Sequence, residues 1–296
     1  MENKPNLSTV LEKDNLIVYL SIILIIIITG VYTIFGIGMP MSAIEMTKMS
    51  GIFSTSSSME MNINMGSNNM DMNMGSNNMD MNMGSNNMDI NNGWSISMAI
   101  SMFLMWWLMM IAMMTPSAAP TLLLFHNLKK IGSEEKKALS YTYLFLFGYL
   151  IIWAIFSLIA CIIHKFFDNS SITDVAMMQL KSVQFSGILL ITAGVYQFTP
   201  LKNACLEKCR SPIDFLSSNN RKGVQGSFIM GAHHGLFCLG CCWALMALLF
   251  VGGVMNLFWI TGLALYVLFE KIIIKAGWLD KIMGLILIVF GISLLI

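Results

Sequence analysis

The sequence predicts an all-α, polytopic integral membrane protein of about seven transmembrane helices with a cytoplasmic N-terminus, and three observations carry that expectation. Of its 296 residues, 56% are hydrophobic and only 11% charged, where a soluble domain carries about 25% charged residues. The apolar residues fall in long unbroken runs, the mark of membrane spans rather than of one large soluble core. Lysine and arginine are unevenly shared between alternate connecting segments, as the positive-inside rule requires. Helices are the natural element, because they satisfy every backbone group within the segment itself. With a net charge of +1, nothing points to a nucleic-acid partner.

Seven stretches qualify as spans, at roughly 16–38, 94–124, 141–163, 182–199, 227–253, 255–274 and 281–296. The first contains SIILIIIITG, longer than the roughly 7–15 apolar residues of a signal peptide. Its leader mixes acid with base and no clear small-x-small site follows, so it reads as a retained anchor. In the second, Pro116 and Pro120 each remove a helical hydrogen bond, which predicts a kink near Thr115–Pro120 with Thr115 or Ser117 satisfying freed carbonyls. An inside N-terminus leaves only Lys48, Lys165 and Lys181 of the 17 basic residues outside. That asymmetry supports an odd number of spans and an external C-terminus. The last and shortest stretch fits by tilting or by ending in the outer headgroups. The organisation is therefore an anchor helix at 1–38, an extracytoplasmic Met/Asn-rich linker at 39–93 and a six-helix membrane domain at 94–296.

From Met65 the linker repeats the unit MGSNNMDMN with period nine, the third copy reading MGSNNMDIN. Its Asn, Ser and Gly content argues for disorder. Met65, Met70, Met72, Met74, Met79, Met81 and Met83 sit in polar surroundings, where a thioether has no packing role. Thioether sulfur is a soft ligand that selects Cu(I) over Mg or Ca, and the local pattern resembles the extracellular methionine-rich motifs of high-affinity copper importers. A neutral slipped repeat or an oxidant sink is the alternative.

The second span carries Met98, Met102, Met105, Met109 and Met113 at steps of four, three, four and four, with Met110 and Met114 alongside. That spacing aligns them on one helical face. Methionine is also a common filler of irregular cores, so plain packing stays open.

The richest chemistry lies in GAHHGLFCLGCCWALM, residues 231–246. His234, Cys238 and Cys241 fall at i, i+4 and i+7 and share a face, flanked by His233 and Cys242. Intramembrane imidazole is expensive without a partner or cavity, and thiolate with imidazole suits Cu(I), with zinc the lesser fit. Counting residues from the inner face puts Cys238 level with Met105–Met109. Cysteines buried as small hydrophobes and a Cys238–Cys241 dithiol in a CxxC arrangement are the competing readings. After span four, Cys205 and Cys209 share a face beside Lys202, Lys208 and Arg210, which should lower their thiol pKa. Gln197, one turn inside the membrane, needs a partner. Glu270 and Lys271 read as an interfacial pair, and His126 and His164 as solvated residues just beyond span ends.

Three segments together carry a family resemblance: WWLMMIAMMTPSAAP, YQFTPLKNACLEKCRSP, and GAHHGLFCLGCCWALM with GGVMNLFWITGLALYVLFEK. From Trp94 to the C-terminus the chain resembles an uncharacterised family described as predicted metal-binding integral membrane proteins of bacteria and archaea. The shared elements are MM-x-P, CL-x-x-CR-x-P and GCCW. The resemblance implies metal binding at Met113, Met114, Cys205, Cys209, Cys238, Cys241 and Cys242, while His234 is chosen from helical geometry. No nucleotide-binding loop or catalytic group stands out. The expectation is a Cu(I)-binding protein of the cell membrane that takes up copper or passes it on, its partners being the bilayer, the metal, and a copper chaperone or membrane copper-enzyme subunits. A membrane thiol–disulfide protein and an accessory subunit of a copper enzyme are the alternatives.

Overall fold

The computed structural model describes residues 7–36, 42–49, 95–131, 134–170, 173–174, 178–218, 221–273 and 277–296. The methionine repeat, including Met65, Met70, Met72, Met74, Met79, Met81 and Met83, lies outside the described residues.

The fold is helical, as the hydropathy requires. In chain order run α1 (Leu7–Phe35), α2 (Ala43–Met49), α3 (Ile96–Ile131), α4 (Ala138–Asn169), a two-stranded ribbon β1 (Thr173–Asp174) and β2 (Gln179–Leu180), α5 (Val183–Gln197), α6 (Pro200–Arg210), α7 (Pro212–Ser218), α8 (Gly223–Ala247), α9 (Leu249–Gly252), α10 (Leu257–Ile272) and α11 (Gly277–Leu295). Among the described residues five helical segments are long and apolar enough to cross a bilayer: Asp14–Phe35, Ile96–Ile131, Glu135–Asn169, Gly223–Gly252 and Gly277–Leu295. The other two expected spans correspond to the shorter α5 and α10, of 15 and 16 residues.

Two close pairings organise the bundle, α4 on α8 and α5 on α11. Both use glycine where backbones meet, the packing device of membrane helices. A Cβ on Gly231 would stand 1.9 Å from the Phe145 carbonyl oxygen, and one on Gly148 2.3 Å from that of Phe228. Gly194 and Gly284 stand in the same relation between α5 and α11. Helix α1 packs along α3, where Asp14 pairs with Lys130 at 2.5 Å.

Helix α3 is unbroken through Pro116 and Pro120 and continues to Ile131. Ser117 donates to the Met114 carbonyl at 2.8 Å, whereas the Thr115 hydroxyl is buried without a partner. The C-terminal end of α3 and the start of α8 are fastened together. Lys129 pairs with Glu134 at 2.6 Å and donates to the Arg221 carbonyl, while the Gly223 amide donates to Glu134 at 2.9 Å. Lys129 is the main reason the Glu134 carboxyl is held below its ordinary range.

Where α5 ends, the chain turns back along α8, leaving Phe198 and Leu201 exposed. Tyr196 donates to the Gly240 carbonyl, Cys205 lies against Gly240, and Phe215 packs its ring on His234 and Phe237. These contacts follow α8 backwards, so α6 and α7 run beside it. Thr199 caps α6 through its side chain and Pro200 sits at the first turn, where its missing amide costs nothing.

Candidate metal centre

The thiols of α8 gather where α3, α4, α6, α8 and α10 meet. Cys238, Cys241 and Cys242 are all buried, as the i, i+3, i+4 spacing dictates for the inward face of a packed helix. Cys241 and Cys242 both donate to the Cys238 carbonyl, at 3.0 and 2.9 Å. Cys242 approaches the Met114 sulfur at 3.9 Å. From α6, Cys209 reaches in to share a hydrogen bond with Cys241.

Cys238 has two polar neighbours that sequence reasoning did not find. The Lys271 ammonium donates to its sulfur at 2.9 Å and to Ser117 at 3.0 Å. The Tyr149 hydroxyl lies 3.1 Å from the same sulfur and donates to the Met114 carbonyl. A buried ammonium is costly alone, and the sulfur within hydrogen-bond distance offsets part of that cost. The available signal was that an ionisable residue inside an apolar run is a functional candidate by default. Lys271 and Tyr149 both meet that criterion.

Several expectations are corrected. Met114 and Ser117, not Met105–Met109, lie level with Cys238, because α3 extends seven residues past 124 and its end meets the start of α8. Met105, Met109 and Met113 are buried in the core, with Met102 and Met110. Lys271 and Glu270 are interior groups rather than an interfacial pair, at 7% and 0% exposure. His126 is buried and bonded to Thr142 at 3.0 Å, and His164 is buried against Trp106 and Phe250. Neither is solvated. The basic residues on α6 do not lower its thiols. Burial, and then Cys241, push Cys205 up; the hydrogen bond to Cys241, and then burial, push Cys209 well up.

His234 shares the buried face, but its ring is enclosed by Phe145, Tyr149 and Phe215 at 5.9, 5.8 and 5.3 Å. Its Nδ1 has no hydrogen-bond partner. Among the described residues no three His, Cys, Asp or Glu side chains converge as a ready metal cage. The thiols are turned instead onto the Cys238 carbonyl, Cys209 and Lys271. What the arrangement offers among the described residues is a run of pairwise neighbours, Cys209 by Cys241, Cys242 by Met114 and Cys238 by Lys271. That donor set suits a soft monovalent ion bound by two or three sulfurs and does not suit a hard divalent one. All six cysteines are unpaired.

A family model described as "PpoB2: Copper chaperone" matches residues 103–294. No curated protein and no solved structure matches.

Proposed function

The chain belongs to the PpoB2 copper chaperone family, and from that premise we propose that it binds Cu(I) at the α8 thiols and passes it on within the membrane. The observation that carries this is the run of neighbours Cys209 by Cys241, Cys242 by Met114 and Cys238 by Lys271. Two thiolates and one Cu(I) make a complex of net charge minus one. A neighbouring ammonium makes it neutral, which a low-dielectric interior strongly prefers.

In the finer reading the chain has seven spans with its N-terminus inside, and the repeat around Met65–Met83 collects Cu(I) outside. Met105, Met109, Met113 and Met114 lead inward by exchange between thioethers, and Cys238, Cys241 and Cys242 form the tighter stop. Cys209 and Cys205 on α6 are the exit ligands, because they already touch the α8 site and end near the basic residues of the inner side. Tyr149 and Lys271 are positioning residues that orient the Cys238 sulfur. His234 is a reserve ligand whose use requires its ring to leave the aromatic enclosure.

Metal content of the purified full chain, measured by elemental mass spectrometry after growth in copper, tests this. Wild type is expected to hold copper that is lost in Cys238→Ser/Cys241→Ser and largely kept when residues 59–89 are deleted. Copper lost only with the deletion would make the repeat the sole binder. No copper in any form would leave a thiol–disulfide role, favoured by the contact between Cys209 and Cys241, and trapping of that pair as a disulfide would then be the discriminating assay.

A further inference from the structure

Helix α6 lies over part of the thiol site. It packs along α8, with the Cys205 sulfur against Gly240 and Cys209 beside Cys241. Lys202, Leu206 and Cys209 are buried on that side, at the i, i+4, i+7 spacing of one helical face. The opposite face is exposed and mostly polar, carrying Asn203, Ala204, Glu207 and Lys208. Charged groups are expensive in hydrocarbon, so that face belongs in water. On this side the thickness of one helix separates Cys209 and Cys241 from solvent.

Both ends of α6 are joints. The helix is only 11 residues long. Thr199 before it is extended, at φ −73° and ψ 143°, and Ser211 after it leaves the helical region, at φ −114° and ψ 73°. Element-terminal residues of this kind are where a swing of the intervening segment is absorbed.

Charge holds α6 in its seat. Lys202, in its first turn, is bonded to Glu270 of α10 and to the side-chain oxygen of Gln197, and lies 3.8 Å from Asp280 of α11. Arg210, its last residue, stands 3.6 Å from Asp280 and donates from Nε to the Glu270 carbonyl at 2.8 Å. Two cations and two carboxylates balance, but the fit is loose. Gln197 Nε2, Arg210 Nη2, Glu270 Oε2 and Asp280 Oδ1 are buried without a hydrogen-bond partner. Buried ion pairs gain little over the same charges in water, and each unsatisfied polar atom tilts the balance further toward water. The contacts of α4 with α8 and of α5 with α11 are of another kind. They rest on close backbone packing at glycine, which water does not replace.

We propose that α6 is a hinged cover over the α8 thiols. Lys202 and Arg210 latch it onto Glu270 and Asp280, and it swings about Thr199 and Ser211 to bring Cys205 and Cys209 to solvent. No covalent bond changes; the ion pairs are exchanged for hydration of the same charges. Its use, handing Cu(I) to the thiols of an acceptor in the aqueous phase, rests on the copper reading above. The motion itself rests on α6 and its latch alone.

The test is alkylation of the metal-free full chain in lipid nanodiscs by a water-soluble maleimide, each cysteine being followed by mass spectrometry. Cys161 is the control, because it is as buried as Cys209, at 7% against 9% exposure, and lies beside Ala99 of α3 rather than under α6. Static access predicts equal rates for the two. A cover that opens locally makes Cys209 the faster, on the order of tenfold. Asp280→Asn leaves the latch with one cation too many, which favours the hydrated state. Cys205 and Cys209 should then react roughly tenfold faster than in wild type, while Cys161 keeps its rate. If that variant does not fold, shown by Cys161 rising in step, the wild-type comparison decides. Equal rates for Cys209 and Cys161 in wild type overturn the proposal. So does an Asp280→Asn protein that melts normally and leaves Cys209 at its wild-type rate. Copper content is measured separately, so a chain that binds copper and shows equal rates loses the cover alone, and a chain without copper can still show it.

Discussion

Replacing Lys271 with methionine removes the cation that touches Cys238 while keeping the length and flexibility of the side chain. In the structure its ammonium lies 2.9 Å from the Cys238 sulfur and 3.0 Å from Ser117. Two unit charges at that separation interact by about 6 kcal/mol at an effective dielectric of about 20. Much of this is offset by the cost of burying the ammonium. A net loss on the order of 2–3 kcal/mol in Cu(I) binding is what remains, or about 30- to 150-fold in affinity. Stability moves the other way or not at all, since the methionine is apolar and its neighbours Ser117 and Cys238 retain other partners. The assay is anaerobic competition between the purified protein and a coloured Cu(I) chelator, with melting followed in parallel. Lysine-to-arginine at the same position should recover part of the affinity, because charge and not shape is the property at issue. A Lys271→Met protein that holds Cu(I) within twofold of wild type while melting normally would refute the charge-balance argument.

Other consequences are open to direct measurement. Gly231→Ala puts a Cβ 1.9 Å from the Phe145 carbonyl, where ordinary C···O contacts begin at about 3.3 Å; α4 and α8 must separate by about 1.4 Å, and melting should show a loss of about 1–3 kcal/mol. An unchanged melt would mean that the two helices do not touch there. Gly240→Ala meets the Cys205 sulfur at 2.7 Å, so Cys205 should alkylate faster than in wild type while Cys238 stays protected. The Glu134 carboxyl, held below its ordinary range by Lys129, gives stabilisation that is fully present above about pH 4.3. It is lost as pH falls through the lowered value. Exchange at the Gly223 amide, corrected for its intrinsic rate, should therefore rise only in that acid window, and Glu134→Gln should show the rise already at neutral pH.

Much of the molecule was legible from the chain because the relevant physics is local. Unbroken runs such as SIILIIIITG can only be apolar helices, and a low charge content excludes a soluble body. The face shared by Cys238, Cys241 and Cys242 is a matter of 3.6 residues per turn, and burial of all three followed. The choice of soft ligands, and hence copper rather than a hard ion, lay in the residue types themselves, and it agrees with the family to which the chain belongs.

Register between helices was not legible. Whether Met105 or Met114 lies level with Cys238 depends on how far α3 runs past residue 124 and on where Lys129 and Glu134 fasten it to α8. Sequence spacing counts along one helix and carries no information about the offset of its neighbour. The same holds for α6, whose placement beside α8 brings Lys202 and Arg210 to Glu270 and Asp280 while Lys208 stays exposed. Lys271 and Glu270 are adjacent in sequence yet serve different clusters, one at the thiols and one at the carboxyls. Composition and period pointed to soft ligands and to where the apolar helices lie. Only the close approach of glycine-bearing helices decided which charges are buried together, because a buried charge chooses its partner in three dimensions.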